Sequence, residues 1–210
     1  IIESQDISEN LRIHPDYQTH TPSSHFHFAE EQGFDRAVEM CTGVGHCRKT
    51  LSGTMCPSYM ATREEEHSTR GRSNALRMAM SGKLGPDGLT DHRLYNVLDL
   101  CLECKACKSE CPSKVDMARL KAEFLAHYYK KHGLPLSKKF ISNLRRTAEL
   151  TSHFPNISNS ISKNQFGRWL LEKIVGIDRR RIAPLVSGQT LTSWFADNKT
   201  SIKNPAGQPV

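Results

Sequence analysis

The twelve residues CLECKACKSECP, Cys101 to Pro112, constrain the fold more than any other stretch of the chain. They place four of its seven cysteines in a C-x2-C-x2-C-x3-C-P run. Thiols this close together pair poorly as structural disulfides and instead surround a metal. An odd cysteine count also departs from the even framework of a disulfide-stapled extracellular domain. The run is that of bacterial iron–sulfur sites. Its first three cysteines wrap one cluster on a tight loop, and the fourth, turned away ahead of the proline, serves a second cluster. The spacing therefore predicts a second cysteine set.

That set is CTGVGHCRKTLSGTMCP, Cys41 to Pro57. Cys41 and Cys47 stand where the outer cysteines of C-x2-C-x2-C belong, and Val44 occupies the middle place. Eight residues rather than three then separate Cys47 from Cys56-Pro57. Exchange of the two final cysteines gives one cluster Cys101, Cys104, Cys107 and Cys56, a complete [4Fe–4S] set. The other receives Cys41, Cys47 and Cys111. Three thiolates suit a [3Fe–4S] cluster, or a [4Fe–4S] cluster whose fourth ligand is not cysteine. His46, beside Cys47, and water or hydroxide are the candidates for that place. All seven cysteines are thus expected to be metal ligands.

Other chemistries fit less well. Zinc sites pair two C-x2-C knuckles separated by about a dozen residues or more, whereas here a third cysteine follows at once. Radical chemistry on S-adenosylmethionine needs C-x3-C-x2-C, and Lys114 stands where its last thiol would be. No Walker loop, Rossmann glycine pattern or Ser-His-Asp arrangement is present. Glu64, Glu65 and Glu66 form a charge run that reads as a solvated face. Gly43 and Gly45 permit close backbone approach to a cluster or form a plain turn. Lys105, Lys108, Lys114, Arg48 and Lys49 either offset cluster charge or face solvent.

The remaining pattern is helical, with no β-branched alternating run. Thr62 and Glu65 make a capping-box pair ahead of a helix that Gly82 stops. Thr90 or Asp91 caps HRLYNVLDLCLEC, in which Leu94, Val97, Leu98 and Leu102 share a face. Asp116 starts a helix striped with Met117, Leu120, Phe124, Leu125 and Tyr128, ended by Gly133 and Pro135. Ser137 caps a helix through Phe140, Ile141 and Leu144. SHFPNISNSISKN reads as a linker. Asn164 opens the last clear helix, with Phe166, Trp169, Leu170, Ile174 and Val175, ended by Gly176. The expected class is mainly α, a two-cluster α-helical ferredoxin-type domain at 36–150 with irregular segments at 1–35 and 151–210.

A formal net charge of +7 raises the question of nucleic acid. Arg70, Arg72, Arg145, Arg146 and Arg179 to Arg181 are scattered, however, and aromatics do not alternate with them as in a stacking platform. The basic residues are read as solvated surface and no nucleic-acid partner is expected. No apolar run reaches the roughly 20 residues that span a bilayer. The chain begins Ile1-Ile2 and reads as part of a longer protein.

Three stretches carry a family resemblance: AVEMCTGVGHCRK, GTMCPSYMATREEEHSTRGRSNALRMAMSG and LDLCLECKACKSECPSKVDMARLKAEFL. They resemble the iron–sulfur region of FAD-linked oxidases fused to an Fe–S oxidoreductase, the D-lactate, glycolate and D-2-hydroxyglutarate dehydrogenase-like proteins. ENLRIHPDY resembles the connector after the flavin domain of that family. The resemblance implies an FAD domain upstream of residues 1–35 and a downstream cysteine-rich CCG domain reached through 151–210. It implies electron transfer from FAD through two clusters to a quinone, cytochrome or other acceptor. It further implies a cytoplasmic protein, with peripheral contact at the inner face of the membrane. The alternative is the iron–sulfur subunit of a separate redox complex of the heterodisulfide-reductase or anaerobic glycerol-3-phosphate dehydrogenase type. The cysteine region is also similar to the helical ferredoxin domain of the succinate dehydrogenase iron–sulfur subunit. That domain holds a [3Fe–4S] cluster in a motif lacking the middle cysteine. The eight-residue spacing before Cys56 departs from it, so both cluster types stay open.

Overall fold

The structure, a computed structural model, describes residues 6, 9, 16–20, 22–85 and 87–199. Most of ENLRIHPDY lies outside the described residues, as does the end of the tail. The described chain is α-helical without a strand, and it forms two compact units, 1–133 and 134–210.

In the first unit the helices beside the cysteine motifs are short, because the cysteine loops interrupt them. α1 (Phe34–Glu39) precedes the first motif, and α2 (Pro57–Thr62) starts on the proline that follows Cys56. Proline suits that first helical position because its missing N–H would be unpaired there anyway. α2 does not continue through the expected capping box. The Thr62 hydroxyl donates back to the Ser58 carbonyl at 3.0 Å, and Arg63 turns left-handed at φ 64°. A 3-10 turn at Glu65–His67 follows. Ser68 is the true cap of α3 (Thr69–Met80), its Oγ accepting from the Gly71 N–H at 2.9 Å.

Asp91 caps α4 (His92–Asp99), accepting from Arg93 and Leu94. α4 ends before the second motif, so Leu102, expected on its apolar face, is instead 69% exposed. α5 (Ala106–Glu110) lies inside that motif. Asp116 caps α6 (Met117–His132), which runs to Gly133. Met117, Leu120, Phe124 and Tyr128 of its stripe are buried. α1 packs on α3 and α6, and α4 packs on both of those. Phe34, Val38, Leu76, Leu94, Leu98 and Phe124 fill the space between them.

Residues 22–33 contain no helix, yet they are fastened to α6. The buried Glu123 carboxylate accepts from the backbone N–H groups of His25 (2.8 Å) and Phe26 (3.0 Å). Arg119 donates to the His27 carbonyl, pairs with Glu31 and lies 4.2 Å from the centre of the Phe28 ring. A segment that reads as an open connector is thus held by backbone hydrogen bonds and a cation–π contact.

The second unit holds α7 (Leu136–Ser142), α8 (Leu144–Ser152), α9 (Pro155–Lys163), α10 (Gln165–Val175) and α11 (Leu191–Asn198). Pro135, not Ser137, sits at the cap position of α7. The stretch read as a linker contains α9, opened by Pro155 at its first turn. Its sparse Ile157 and Ile161 among serines and asparagines hide the helical period. Asn164 caps α10 and Gly176, left-handed at φ 77°, ends it, as their residue types predict. Most apolar side chains of this unit stay exposed, Phe166 and Trp169 among them.

Candidate metal centre

The two cysteine motifs meet across α3, and the seven thiols divide between two recesses. Cys101, Cys104 and Cys107 line the first together with Cys56, which comes from the other motif. Cys41 and Cys47 line the second together with Cys111. Met55 and Thr69 line both recesses and so form part of the wall between them. No cysteine is in a disulfide.

Local backbone geometry explains the wrapping. In the second motif Glu103 (φ 54°) and Lys105 (φ 59°) adopt left-handed conformations that reverse the chain between successive cysteines. In the first motif Gly43 (φ 84°) and Gly45 (φ 77°) do the same without a Cβ penalty. The longer loop before Cys56 is gathered by Glu110 of α5. Its carboxylate accepts the N–H groups of Thr54 (2.8 Å) and Met55 (3.3 Å) and pairs with Lys49 at 3.5 Å.

The electrostatics are uneven. Burial pushes the Cys107 thiol up to about 11. Burial also raises Cys101 and Cys47, the latter against a hydrogen bond from the Arg70 amide. Cys56 is buried too, but the Ser58 hydroxyl, the Arg72 charge and neighbouring donors outweigh the burial and hold its thiol below the ordinary value. Crowded thiols that resist ionisation in apolar surroundings become thiolates when a cation binds, since metal ligation requires the deprotonated form. Four sulfurs in one recess and three in the other match the donor chemistry of iron–sulfur centres, which thiolates hold.

Arginines of α3 organise both recesses, and the burial of Arg72 corrects its reading as solvated surface charge. Arg72 is fully buried. It donates to the Val97 carbonyl (3.0 Å), the Ser58 hydroxyl (3.0 Å) and Cys56 Sγ (3.5 Å). Arg77 donates to the carbonyls of Glu39 (2.9 Å) and Cys41 (2.6 Å). The Arg70 amide donates to Cys47 Sγ at 3.4 Å, and its guanidinium reaches the Gly43 carbonyl at 3.2 Å. Glu65 holds that guanidinium at 2.7 Å and pairs with Arg48, while Glu64 and Glu66 face solvent. Lys121 of α6 is buried and donates to the Cys101 carbonyl at 2.8 Å. The sequence reading singles out neither Arg77 nor Lys121 and takes Arg70 and Arg72 for solvated surface. The available signal was the i, i+2 and i+7 spacing of Arg70, Arg72 and Arg77 on α3, the second α-helix after Cys56-Pro57.

In the three-thiol recess, Val44 is 67% exposed at the rim and His46 is part of the lining. The hydroxyls of Thr42 and Ser113 lie 3.2 Å apart there and join the two motifs. Lys108 is mostly solvated and pairs with Asp116 at 3.4 Å.

Residues 28–115 match the family model described as "4Fe-4S dicluster domain". Among curated proteins, the chain is similar to a D-2-hydroxyglutarate dehydrogenase of Pseudomonas putida, 28% identical over 178 residues. That match covers 70% of the chain and 18% of the relative. It is similar to the protein of the same name from Escherichia coli, 24% identical, over 68% of the chain and 17% of the relative. A probable glycolate oxidase iron-sulfur subunit of Bacillus subtilis is 34% identical over 45% of the chain and 20% of its own length. The chain therefore spans about a fifth of the length of these relatives. No solved structure matches it.

Proposed function

We propose that the chain is the electron-transfer segment of a flavin-dependent 2-hydroxy-acid dehydrogenase, its residues 28–115, which match the 4Fe-4S dicluster model, holding two clusters. The observation that carries the reading is the crossed arrangement of thiols. Cys56 keeps company with Cys101, Cys104 and Cys107, and Cys111 with Cys41 and Cys47. In this reading the first group holds a [4Fe–4S] cluster. The second holds a [3Fe–4S] cluster, or a [4Fe–4S] cluster with His46 or solvent as fourth ligand.

An iron–sulfur cluster supplies a one-electron store whose potential follows its charge, hydrogen bonding and exposure. The chain's own residues set those terms. Burial of Cys47, Cys56 and Cys107 excludes water from the sulfurs. Arg70 and Arg72 donate hydrogen bonds to Sγ atoms. Met55 and Thr69, shared by both recesses, fix the two sites side by side.

Residues 1–35 are then the link from an FAD domain, 36–150 the cluster domain, and 151–210 the path to a further redox domain. A quinone, cytochrome or other acceptor takes the electrons. The names of the relatives point to 2-hydroxy acids such as D-2-hydroxyglutarate or glycolate as the electron source. Seven unpaired cysteines fit a reducing compartment such as the cytoplasm. Among the described residues no helix is long and apolar enough to cross a membrane. The similarity to a protein named a probable glycolate oxidase iron-sulfur subunit supports a second arrangement, in which the flavin domain is a different chain.

The test is anaerobic addition of D-2-hydroxyglutarate, glycolate or D-lactate to the full-length protein. In the proposed route one of them reduces the flavin and then bleaches the broad cluster absorbance. Flavin reduction with an unchanged cluster spectrum contradicts it.

A further inference from the structure

Resting on the reading that Cys56, Cys101, Cys104 and Cys107 hold one cluster, we propose that Arg72 is the fixed counter-charge of that cluster and raises its reduction potential relative to a neutral side chain. The argument begins with an electrostatic imbalance. Arg72 has no solvent exposure, and a guanidinium stays protonated under all ordinary conditions. A buried charge requires a partner of opposite sign. Among the described residues no carboxylate forms an ion pair with Arg72. Its neighbours are a carbonyl, a hydroxyl and the sulfur of Cys56. Of these three hydrogen-bond partners the one that becomes an anion is that sulfur, and with it the whole thiolate-bound centre in the recess that Arg72 lines.

The other arginines do not share this condition. Arg70, beside the three-thiol recess, is matched by Glu65 at 2.7 Å. Arg77 donates to two backbone carbonyls and to Asn74 Oδ1 rather than to sulfur. Lys121, which reaches the Cys101 carbonyl, pairs with Glu103 at 3.2 Å. Arg72 alone of these four brings a buried cation to sulfur without a carboxylate in attendance.

The redox consequence follows from charge balance. Reduction adds one electron to the centre, with no bond formed or broken and the electron supplied by the reduced flavin of the proposed route. The reduced centre carries one more negative charge than the oxidised one. A fixed positive charge in contact with a ligand sulfur stabilises the reduced form more, so the potential rises. Hydrogen bonding to sulfur acts in the same direction.

The experiment is an anaerobic EPR-monitored redox titration of the full-length protein as wild type, Arg72→Gln and Arg72→Lys, each assayed for iron and acid-labile sulfide. In Arg72→Gln the reduction equilibrium of one centre should fall roughly tenfold or more, about 59 mV for a one-electron couple, while the other stays in place. Arg72→Lys retains the charge and should keep that centre close to the wild-type value. Unmoved potentials in Arg72→Gln, or both centres moving together, overturn the proposal. If Arg72→Gln does not assemble its centre, Arg72→Lys decides: a tenfold fall there overturns it, and a retained potential supports it. A wild-type protein without clusters would instead remove the reading on which the proposal rests.

Discussion

The Glu110 carboxylate accepts the Thr54 backbone N–H at 2.8 Å, so the helix inside one cysteine motif fixes the loop of the other just ahead of Cys56. The two motifs are therefore joined by this carboxylate, besides lining their two recesses together.

That contact has a pH signature. Hydrogen bonds from the Thr54 hydroxyl and amide, chiefly, hold the Glu110 carboxyl at about 2, below its ordinary 4.5. A carboxyl depressed on folding contributes stability above its unfolded value and loses it as pH falls through the folded one. Glu110→Gln should therefore lower the thermal midpoint of the domain at roughly pH 6, and the gap to wild type should close toward about pH 2.5. A gap that is independent of pH would show that the contact is not ionic.

Gly71 is required by close packing. A Cβ at that position would lie 2.0 Å from the Glu65 carbonyl oxygen, inside the backbone of the preceding turn. Gly71→Ala should push the start of α3 away from that turn and cost about 1–3 kcal/mol. It should disturb Arg70 and Arg72 together, so both proposed clusters should be lost at lower urea concentration. Urea unfolding followed at the cluster absorbance measures this, and wild-type behaviour would place the clash in error.

Arg77 clamps the carbonyls on either side of Met40. Arg77→Met removes a charged donor and leaves two inward-facing oxygens unmatched, at a cost of about 2 kcal/mol. Because Cys41 is the residue released, retention of iron should fall mainly at the three-thiol centre. Equal loss at both centres would contradict the assignment of Arg77 to one of them.

Glu123 fastens the segment that precedes α1. Burial raises its carboxyl, but the Phe26 and His25 donors outweigh burial and the net shift is downward. Glu123→Gln turns one acceptor into a donor facing a backbone N–H, which costs about 2 kcal/mol. The expected readout is faster chymotryptic cleavage after Phe26 or Phe28. In the wild type that protection should persist above the ordinary carboxyl range and fade as pH drops below it. Unchanged cleavage would mean that the segment is held by other contacts.

Much of this architecture was legible because cysteine spacing and helix caps are local signals. Asp91, Asp116, Asn164 and Gly176 act where their side-chain chemistry places them. The pairing of Cys56 with the Cys101 motif follows from the exchange rule, and the structure puts those thiols around one recess. What escaped was set by tertiary context. Arg72 and Lys121 look like surface charges until their sulfur and carbonyl partners, distant in sequence, are known. Thr62 has the right residues for a capping box, but its hydroxyl is taken by Ser58. α9 hid behind serines and asparagines that a linker would also carry.

The central claim is the exchange of Cys56 and Cys111, and EPR spectra of single serine variants test it most directly. Cys56→Ser, Cys104→Ser, Cys111→Ser and Cys41→Ser would be purified anaerobically and recorded before and after dithionite. The crossed arrangement predicts that Cys56→Ser leaves the same residual spectrum as Cys104→Ser, and Cys111→Ser the same as Cys41→Ser. Grouping by sequence neighbourhood instead, with Cys56→Ser matching Cys41→Ser and Cys111→Ser matching Cys104→Ser, would contradict it.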